Sequence, residues 1–491
     1  MRIIGNRGNT ARKVQAVASG ALASGDTVVV NADGTVSVVA GSTVSSSVGS
    51  PAAFPADCNG ETTAVYDVGN NKTVIFWMGA SNAGKCVVAT VASNNTVSLG
   101  SVVEFEDGSV DSDIAATYHA AAGKIVVVFR DNGNSGYAKA RVGTVSGTSI
   151  SFGTVVTFYN GDSSRKANVV YSSAAEKVVV VYSNDSTSDG FSKVGTVSGT
   201  DISFGSQATF ESGAVGGTEI GMAYDSNADR VILSYRDQNN SGYGTAIVGT
   251  ISGTSISFGT KAVFKSATTY GLSSVYDPVA QKVLLSYQST GTEAIVGTVS
   301  GTSITFGTSA TVKSSGTGTA STVYDANAKV AVVVYGYGGW EAADFALKNG
   351  TISGTSVSFG SEIMLDSGNA VTISNGPKGS AYDSSLGKIV TSYGTNPDGG
   401  GPIGRYVVSQ NGYVATNLTA ENFIGFSSNG YASGQAATIN TKGFCGEVGQ
   451  SSLTAGQSYF VQTNGDLGLT AGTPSVFAGT AVSATKLIVK G

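Results

Sequence analysis

Charge, histidine, cysteine and long apolar runs are all scarce in this chain, and each shortage removes a class of function. Only 12% of its 491 residues are charged and the net charge is -5. No block of five like charges occurs, so nothing draws the chain toward nucleic acid or an anionic membrane. The single histidine, His119, has neither triad partners nor fellow metal ligands. That excludes serine–histidine catalysis and zinc sites built on several histidines, and His119 reads as a turn residue. The three cysteines, Cys58, Cys86 and Cys445, form no CxxC and read as reduced structural thiols. Apolar runs such as residues 125–129 and 178–182 fall far short of the roughly 20 residues that span a bilayer, so no membrane insertion is expected. The first twenty residues carry Arg2, Arg7, Arg12 and Lys13 without an apolar core, so no Sec-type signal peptide is read there. A soluble product that begins in a cytoplasm is the expectation, with no cofactor and no metal.

Glycine is abundant instead, at 68 residues, with Ser, Thr, Val and Ala filling much of the rest. No Gly-X-Y period is present, which excludes collagen, and 41% hydrophobic residues is too many for a disordered chain. The mixture reads as all-β with many tight turns.

The chain is periodic. Val-Gly-Thr-Val-Ser-Gly-Thr-Ser-Ile-Ser-Phe-Gly at residues 142–153 returns almost unchanged at 194–205, 248–259, 296–307 and 348–360. A second motif interleaves with it: Tyr, usually Asp, then a basic residue opening an apolar run. Its tyrosines are Tyr66, Tyr118, Tyr171, Tyr224, Tyr276, Tyr324 and Tyr382, and its basic residues are Lys72, Lys124, Lys177, Arg230, Lys282, Lys329 and Lys388. The tyrosine spacings of 52, 53, 53, 52, 48 and 58 mark a repeat architecture. Each period holds four short strands, in the third copy over residues 167–171, 177–182, 192–197 and 202–210, and four strands per repeat make one blade of a β-propeller. The second strand is apolar at nearly every position, as a strand covered on both faces should be.

The ends of the array argue for closure. Residues 45–54 align with the fourth strand at 149–158, whereas the seventh repeat has a second strand at 388–393 and a third at 403–409 but no fourth. Pairing the surplus strand with the incomplete repeat removes two free edges. The fold read from the sequence is therefore all-β: a seven-bladed β-propeller over residues 45–412, closed by an N-terminal strand. Residues 1–44 and 413–491 form a composite β domain built from both chain termini. Residues 22–34 and 453–465 resemble each other there, each reading as strand, Asx-Gly turn, strand.

The repeated motifs read as structural. The Asp of the Tyr-Asp element caps a hairpin and forms an exposed pair with the basic residue across from it, and the Phe that follows each Ser-Gly-Thr-Ser turn (Phe152, Phe204, Phe258, Phe306, Phe359) packs between blades. The Asp/Asn-rich loops at 130–135 and 236–241 lack a calcium-loop pattern and read as solvated turns. No pair of carboxylates placed for glycoside cleavage, no sialidase box, no Trp-Asp signature and no kelch double glycine is found, so no catalytic residue is assigned. The two hairpin classes share one face of the ring and barely vary. The loops between second and third strands and those between blades gather on the other face and do vary, which is where binding is built. Tyr159, Tyr270, Tyr337 and Trp340 are the candidate aromatic platforms for a sugar ring or a protein contact.

Three stretches, residues 417–426, 452–465 and 474–489, resemble a C-terminal module of virion structural proteins from tailed, especially marine, bacteriophages. The Gly-Thr-Val-Ser-Gly-Thr-Ser-Ile-Ser-Phe-Gly units are similar to repeats in the same group. The resemblance implies a virion component of tail-fibre, attachment or capsid-appendage type, assembled in a host cytoplasm, with other virion proteins as partners and self-association possible. It supplies no catalytic residue. The reading is thus a non-enzymatic virion protein that docks through the terminal domain and shows its propeller to host-surface glycan or receptor. The alternative is a secreted or cell-surface lectin-like propeller outside a virus, for which an export signal would be expected.

Overall fold

The computed structural model describes residues 2–4, 13–59, 62–79, 81–161, 164–213, 215–216, 220–314, 320–339, 342–367, 379–395, 403–472 and 474–490. Among these the regular structure is β-strand, with two single 3-10 turns. None of the described residues forms a helix long and apolar enough to cross a membrane. Contacts divide the chain into two units, residues 46–411 and residues 1–45 with 412–491.

The larger unit is a succession of seven antiparallel sheets. In the third, Ser164–Ser172, Lys177–Asn184 and Gly190–Ser198 pair in order, and a fourth strand returns along the third. Every residue of Lys177–Asn184 after the lysine is buried, because both faces of this Val-rich strand are covered by neighbouring sheets. Six sheets are contiguous in sequence. The seventh joins Ser380–Asp383, Lys388–Thr395 and Ile403–Gln410 to Ser47–Val48 and Ala52–Asp57, in the register Ser409 with Val48 and Tyr406 with Ala52.

Apolar clusters lie between consecutive sheets, and one of them joins the last sheet to the first: Phe54, Val390 and Tyr406 of the seventh pack with Trp77 and Val87 of the first. The same aromatic contact recurs around the circuit. Phe54 lies 4.9 Å from Trp77, Phe105 5.3 Å from Phe129, Phe158 5.4 Å from Tyr182, Phe210 5.3 Å from Tyr235 and Phe264 5.1 Å from Tyr287, each pair bridging two sheets. Such pairs add about 0.5–1.5 kcal/mol each beyond their buried area. The phenylalanines at the repeat motif's end also sit at the interfaces, Phe204 at 5.0 Å from Phe158 and Phe306 at 5.6 Å from Phe264.

Three local expectations change. The fourth strand is not continuous over 202–210 but splits into Asp201–Phe204 and Ala208–Glu211. The break begins at Gly205, where a Cβ would lie 1.9 Å from the Thr254 carbonyl oxygen in the next sheet's Ser-Gly-Thr turn. That turn is seated on the bare backbone, and the strand bends away around it. Lys329 does not open a strand: Asp325 pairs with Val330, and Lys329 takes the left-handed turn position at φ +57°, because the basic residue sits one place earlier in a turn of unchanged length. The capping aspartates are not exposed, since Asp67, Asp225, Asp277, Asp325 and Asp383 are all buried beneath the neighbouring sheet.

The smaller unit holds an internal duplication. One sheet orders Arg2–Ile4, Lys13–Val17, Ala436–Asn440, Phe423–Ser427, Thr27–Val30 and Val36–Val38; another orders Cys445–Glu447, Lys486–Val489, Phe477–Ala481, Ser458–Val461 and Leu467–Gly468. Apart from the extra edge strand Arg2–Ile4 the two orders are the same. They also share a bulge at a glycine, Gly425 (φ +141°) and Gly479 (φ +152°), whose Cβ positions are filled by the carbonyls of Asn440 and Ile488. In the second copy eight residues, 469–476, separate the third and fourth strands in chain order; in the first copy that connection runs from 39 to 422 and contains the entire seven-sheet unit. The long unit is an insertion into the first copy of a duplicated five-stranded module.

The turn-on-glycine contact predicts opposite outcomes at equivalent positions. Gly205→Ala should cost about 1–3 kcal/mol, as an added methyl does in a tightly packed site. Gly360 has its nearest foreign atom 3.9 Å from the Cβ position, because the seventh sheet has no Ser-Gly-Thr turn, so Gly360→Ala should be neutral or stabilising by up to about 1 kcal/mol through the unfolded chain. Urea unfolding midpoints of the two variants check this; equal losses would disprove it.

Candidate functional site

Antiparallel succession puts the first–second and third–fourth hairpins at one end of every sheet and the remaining connections at the other. The hairpin end repeats one set of hydrogen bonds. Asp225 Oδ1 accepts from the amides of Asn227 and Ala228 at 3.0 and 2.9 Å, and Asp277, Asp325 and Asp383 repeat the pattern. Ser172 substitutes its hydroxyl and His119 its Nδ1, which accepts from Ala122 N at 3.1 Å. Burial lowers the His119 pKa, keeping the ring in the neutral form that this acceptor role requires.

Each turn is then covered by the tyrosine of the next sheet. The hydroxyls of Tyr118, Tyr171, Tyr224 and Tyr382 accept from the amides of Gly69, Ala121, Ala174 and Asn327 at 3.1–3.3 Å. At the closing interface burial, and then the Asp383 carboxylate of the seventh sheet, raise the Tyr66 phenol above its usual range. The basic residues reach forward too: Arg230 Nε donates to Gly301 O at 2.9 Å and Lys388 Nζ to Ser93 O at 2.7 Å, both in the next sheet. These contacts tie the turns of neighbouring sheets together.

The other end differs from sheet to sheet. Tyr159 is half-buried, with its hydroxyl accepting from Asn184 Nδ2 at 2.6 Å and its ring 4.8 Å from that of Tyr182. It is interface packing rather than an open platform. Tyr337 donates to Glu362 at 2.7 Å and carries Lys313 Nζ 3.6 Å from its ring centroid. The same carboxylate accepts from Tyr335 at 2.6 Å and Lys313 at 2.9 Å. Burial works against the Glu362 charge, but the hydrogen bonds from Tyr335, Lys313 and Tyr337 outweigh it and hold the pKa at about 2. Tyr270 is 42% exposed and has the Arg236 guanidinium 4.9 Å from its ring centroid. Trp340 lies outside the described residues. The three described candidates do not converge: Tyr159, Tyr270 and Tyr337 stand at separate sheets, and of these three only Tyr270 presents an open ring.

Arg236 and Glu362 escaped selection because aromatic type alone guided the sequence choice. The signal available for Arg236 was its place in residues 236–241, which repeat the pattern of 130–135. Both loops fold as a 3-10 turn, Asn132–Asn134 and Gln238–Asn240, ending in a left-handed serine, Ser135 or Ser241. Among the described residues no group of three or more His, Cys, Asp or Glu side chains is placed to hold a metal ion.

No family model matches the chain, and no curated protein matches it in sequence. Solved structures do. The BP39L lectin from Burkholderia pseudomallei aligns over 71% of this chain and 95% of its own, at 9% identity and a TM-score of 0.52. A protein from Lactobacillus plantarum aligns over 64% and 85%, at 11% identity and a TM-score of 0.45. The six-bladed β-propeller lectin of Aleuria aurantia, described with a fucose recognition mode, aligns over 63% and 98%, at 14% identity and a TM-score of 0.40. The likeness to BP39L is one of fold, and the repeated four-stranded sheets described above are what a β-propeller is built from.

Glu362 yields a pH prediction. Its folded pKa of about 2 lies below the ordinary 4.5, so the stability it contributes is complete above about pH 4.5 and is lost as pH falls toward 2. Glu362→Gln should reduce stability at pH 7 by about 1–3 kcal/mol and flatten that acid limb. Denaturant titrations between pH 2 and 7 measure it; an unchanged acid limb in the variant would refute the assignment.

Proposed function

We propose that the chain is a non-enzymatic, glycan-binding, seven-bladed β-propeller, its ring closed by the N-terminal strand pair Ser47–Val48 and Ala52–Asp57. The observation that carries the reading is the contrast between the two ends. At one end the recurring turns are hydrogen-bonded to the neighbouring sheets, while the other offers the open Tyr270 ring with Arg236 across it. A half-exposed aromatic face beside a hydrogen-bond donor is how a rigid scaffold takes a sugar, by stacking on its apolar C–H face and fixing a hydroxyl or acid group. The shared fold with the BP39L lectin is consistent with this use. The reading matches the lectin-like alternative without requiring a compartment. The full chain should bind members of a glycan panel, and Tyr270→Ala should weaken that binding about tenfold while leaving the unfolding midpoint unchanged. Failure of the purified chain to bind any glycan would end the reading.

The resemblance of residues 417–426, 452–465 and 474–489 to phage virion modules supports a second proposal about context. In it the duplicated terminal module docks the protein on a particle, beside other virion proteins, and the inserted propeller faces the host surface. Insertion suits this division, because the ring is a unit of its own within residues 46–411. Removing residues 417–491 should then abolish incorporation into particles while the truncated chain still binds sugar. Particles that retain the truncated protein would rule the docking role out.

A further inference from the structure

The twin loops of the second and fourth sheets share Arg-Asp at their start and Asn-Ser at their end, but the residue facing the arginine differs, and that difference points to a ligand. In both, a valine pairs with the loop aspartate, Val110 with Asp131 and Val215 with Asp237. The residue after the valine is Asp111 in one and Gly216 in the other. Asp111 Oδ2 accepts from Arg130 at 2.6 Å, so that guanidinium has its counter-charge within the chain. Across from Arg236 stands the glycine, where a Cβ would lie 2.2 Å from Arg236 Nε. The arginine lies over bare backbone in the space where its twin meets a carboxylate.

Arg236 finds no substitute nearby. Among the described residues no carboxylate lies within 4 Å of its guanidinium, and the neighbouring acids are already engaged: Glu211 by Lys261 at 2.5 Å and Tyr235 at 2.7 Å, Asp237 by Lys261 at 3.6 Å. The guanidinium is instead stacked on exposed Tyr270. Thr268, also exposed, flanks it across Gly242, whose Cβ position is 3.4 Å from the Thr268 hydroxyl oxygen and 3.7 Å from Arg236 Cδ. A half-buried, ring-stacked arginine with free donors favours a planar anion, which its fork accepts in two parallel hydrogen bonds.

We propose that Arg236, Thr268 and Tyr270 form a subsite for the carboxylate of an acidic sugar, a uronate unit of a polysaccharide. Arg236 holds the carboxylate, Thr268 a neighbouring hydroxyl, and Tyr270 the sugar face. The inference rests on the glycan-binding reading and narrows it. The net charge of -5 gives no long-range attraction for a polyanion, so recognition is local to this arginine and weakens with salt.

The test is calorimetric titration of the full chain with oligogalacturonate, oligomannuronate, their carboxyl-reduced counterparts and neutral oligosaccharides. An oligouronate should bind at least about tenfold more tightly than its reduced form. Arg236→Gln should remove that preference while keeping the unfolding midpoint. Gly216→Asp should remove it too, by placing a side chain against the guanidinium and supplying within the chain the carboxylate that the second sheet already has. Neutral and reduced sugars bound as well as uronates, or uronate binding indifferent to Arg236→Gln, would overturn the subsite and leave the glycan reading standing. Absence of binding to every sugar would overturn both.

Discussion

A strand that is apolar at every position has no face to turn toward water, and the rest of the larger unit follows from that constraint. Val178 through Tyr182, and their counterparts in the other sheets, are fully buried because a sheet lies on each side. An open row of such sheets would leave two of these strands bare, a loss of roughly 25 cal/mol for each Å2 of apolar surface exposed. Closure through Phe54 and Trp77 removes both bare faces at once. The polar devices at the hairpin end are secondary to this and set the angle between neighbours: a tyrosine hydroxyl over the preceding turn, a lysine or arginine on the following one, and a turn carbonyl seated on a glycine.

That constraint also explains what the sequence made legible. The period, the four-stranded sheets, the aspartate caps and the interface phenylalanines all follow from residue type and spacing, since each is a local consequence of a hairpin or of a covered strand. The strand break after Phe204 was not legible, because its cause, the Thr254 carbonyl, lies fifty residues away in the next sheet. Burial of the capping aspartates was missed for the same reason: an isolated hairpin leaves its cap in water, and only the neighbouring sheet's tyrosine removes it. The duplication in the terminal unit was half visible. Residues 22–34 and 453–465 match in sequence, but the partner strands Phe423–Ser427 and Phe477–Ala481 agree in bulge geometry at Gly425 and Gly479 more than in side chains.

The candidate site was the least legible part, and the ring explains why. The position after the interface phenylalanine, or the aliphatic residue that replaces it, is Glu106, Tyr159, Glu211, Lys265, Lys313 and Asp366 in six successive sheets. There the side chain faces the aromatic residue of a second strand: Glu211 accepts from Tyr235, Asp366 from Tyr393, and Tyr159 packs on Tyr182. Read singly, Tyr159 looks like a surface aromatic in a variable loop. Read by its place in the ring, it occupies an interface position whose chemistry changes while its partner stays aromatic.

Variation alone therefore does not mark a binding surface in a repeat protein. At an interface position a change in one residue is answered by its neighbour, as Lys139 near Asp131 and Glu106 in the second sheet is answered in the fourth by Lys261 beside Asp237 and Glu211. The lysine moves from a strand, Tyr137–Ser146, to the connection just before Ala262–Thr268, and the two equivalent acids are met. A position whose change is left unanswered is different. Asp111 has become Gly216 while Arg130 has remained arginine at Arg236, and no compensating acid stands in reach of it among the described residues. A half-buried cation with glycine on one side and an exposed tyrosine on the other is the kind of position at which an outside ligand, as in the proposed subsite, would supply the counter-charge.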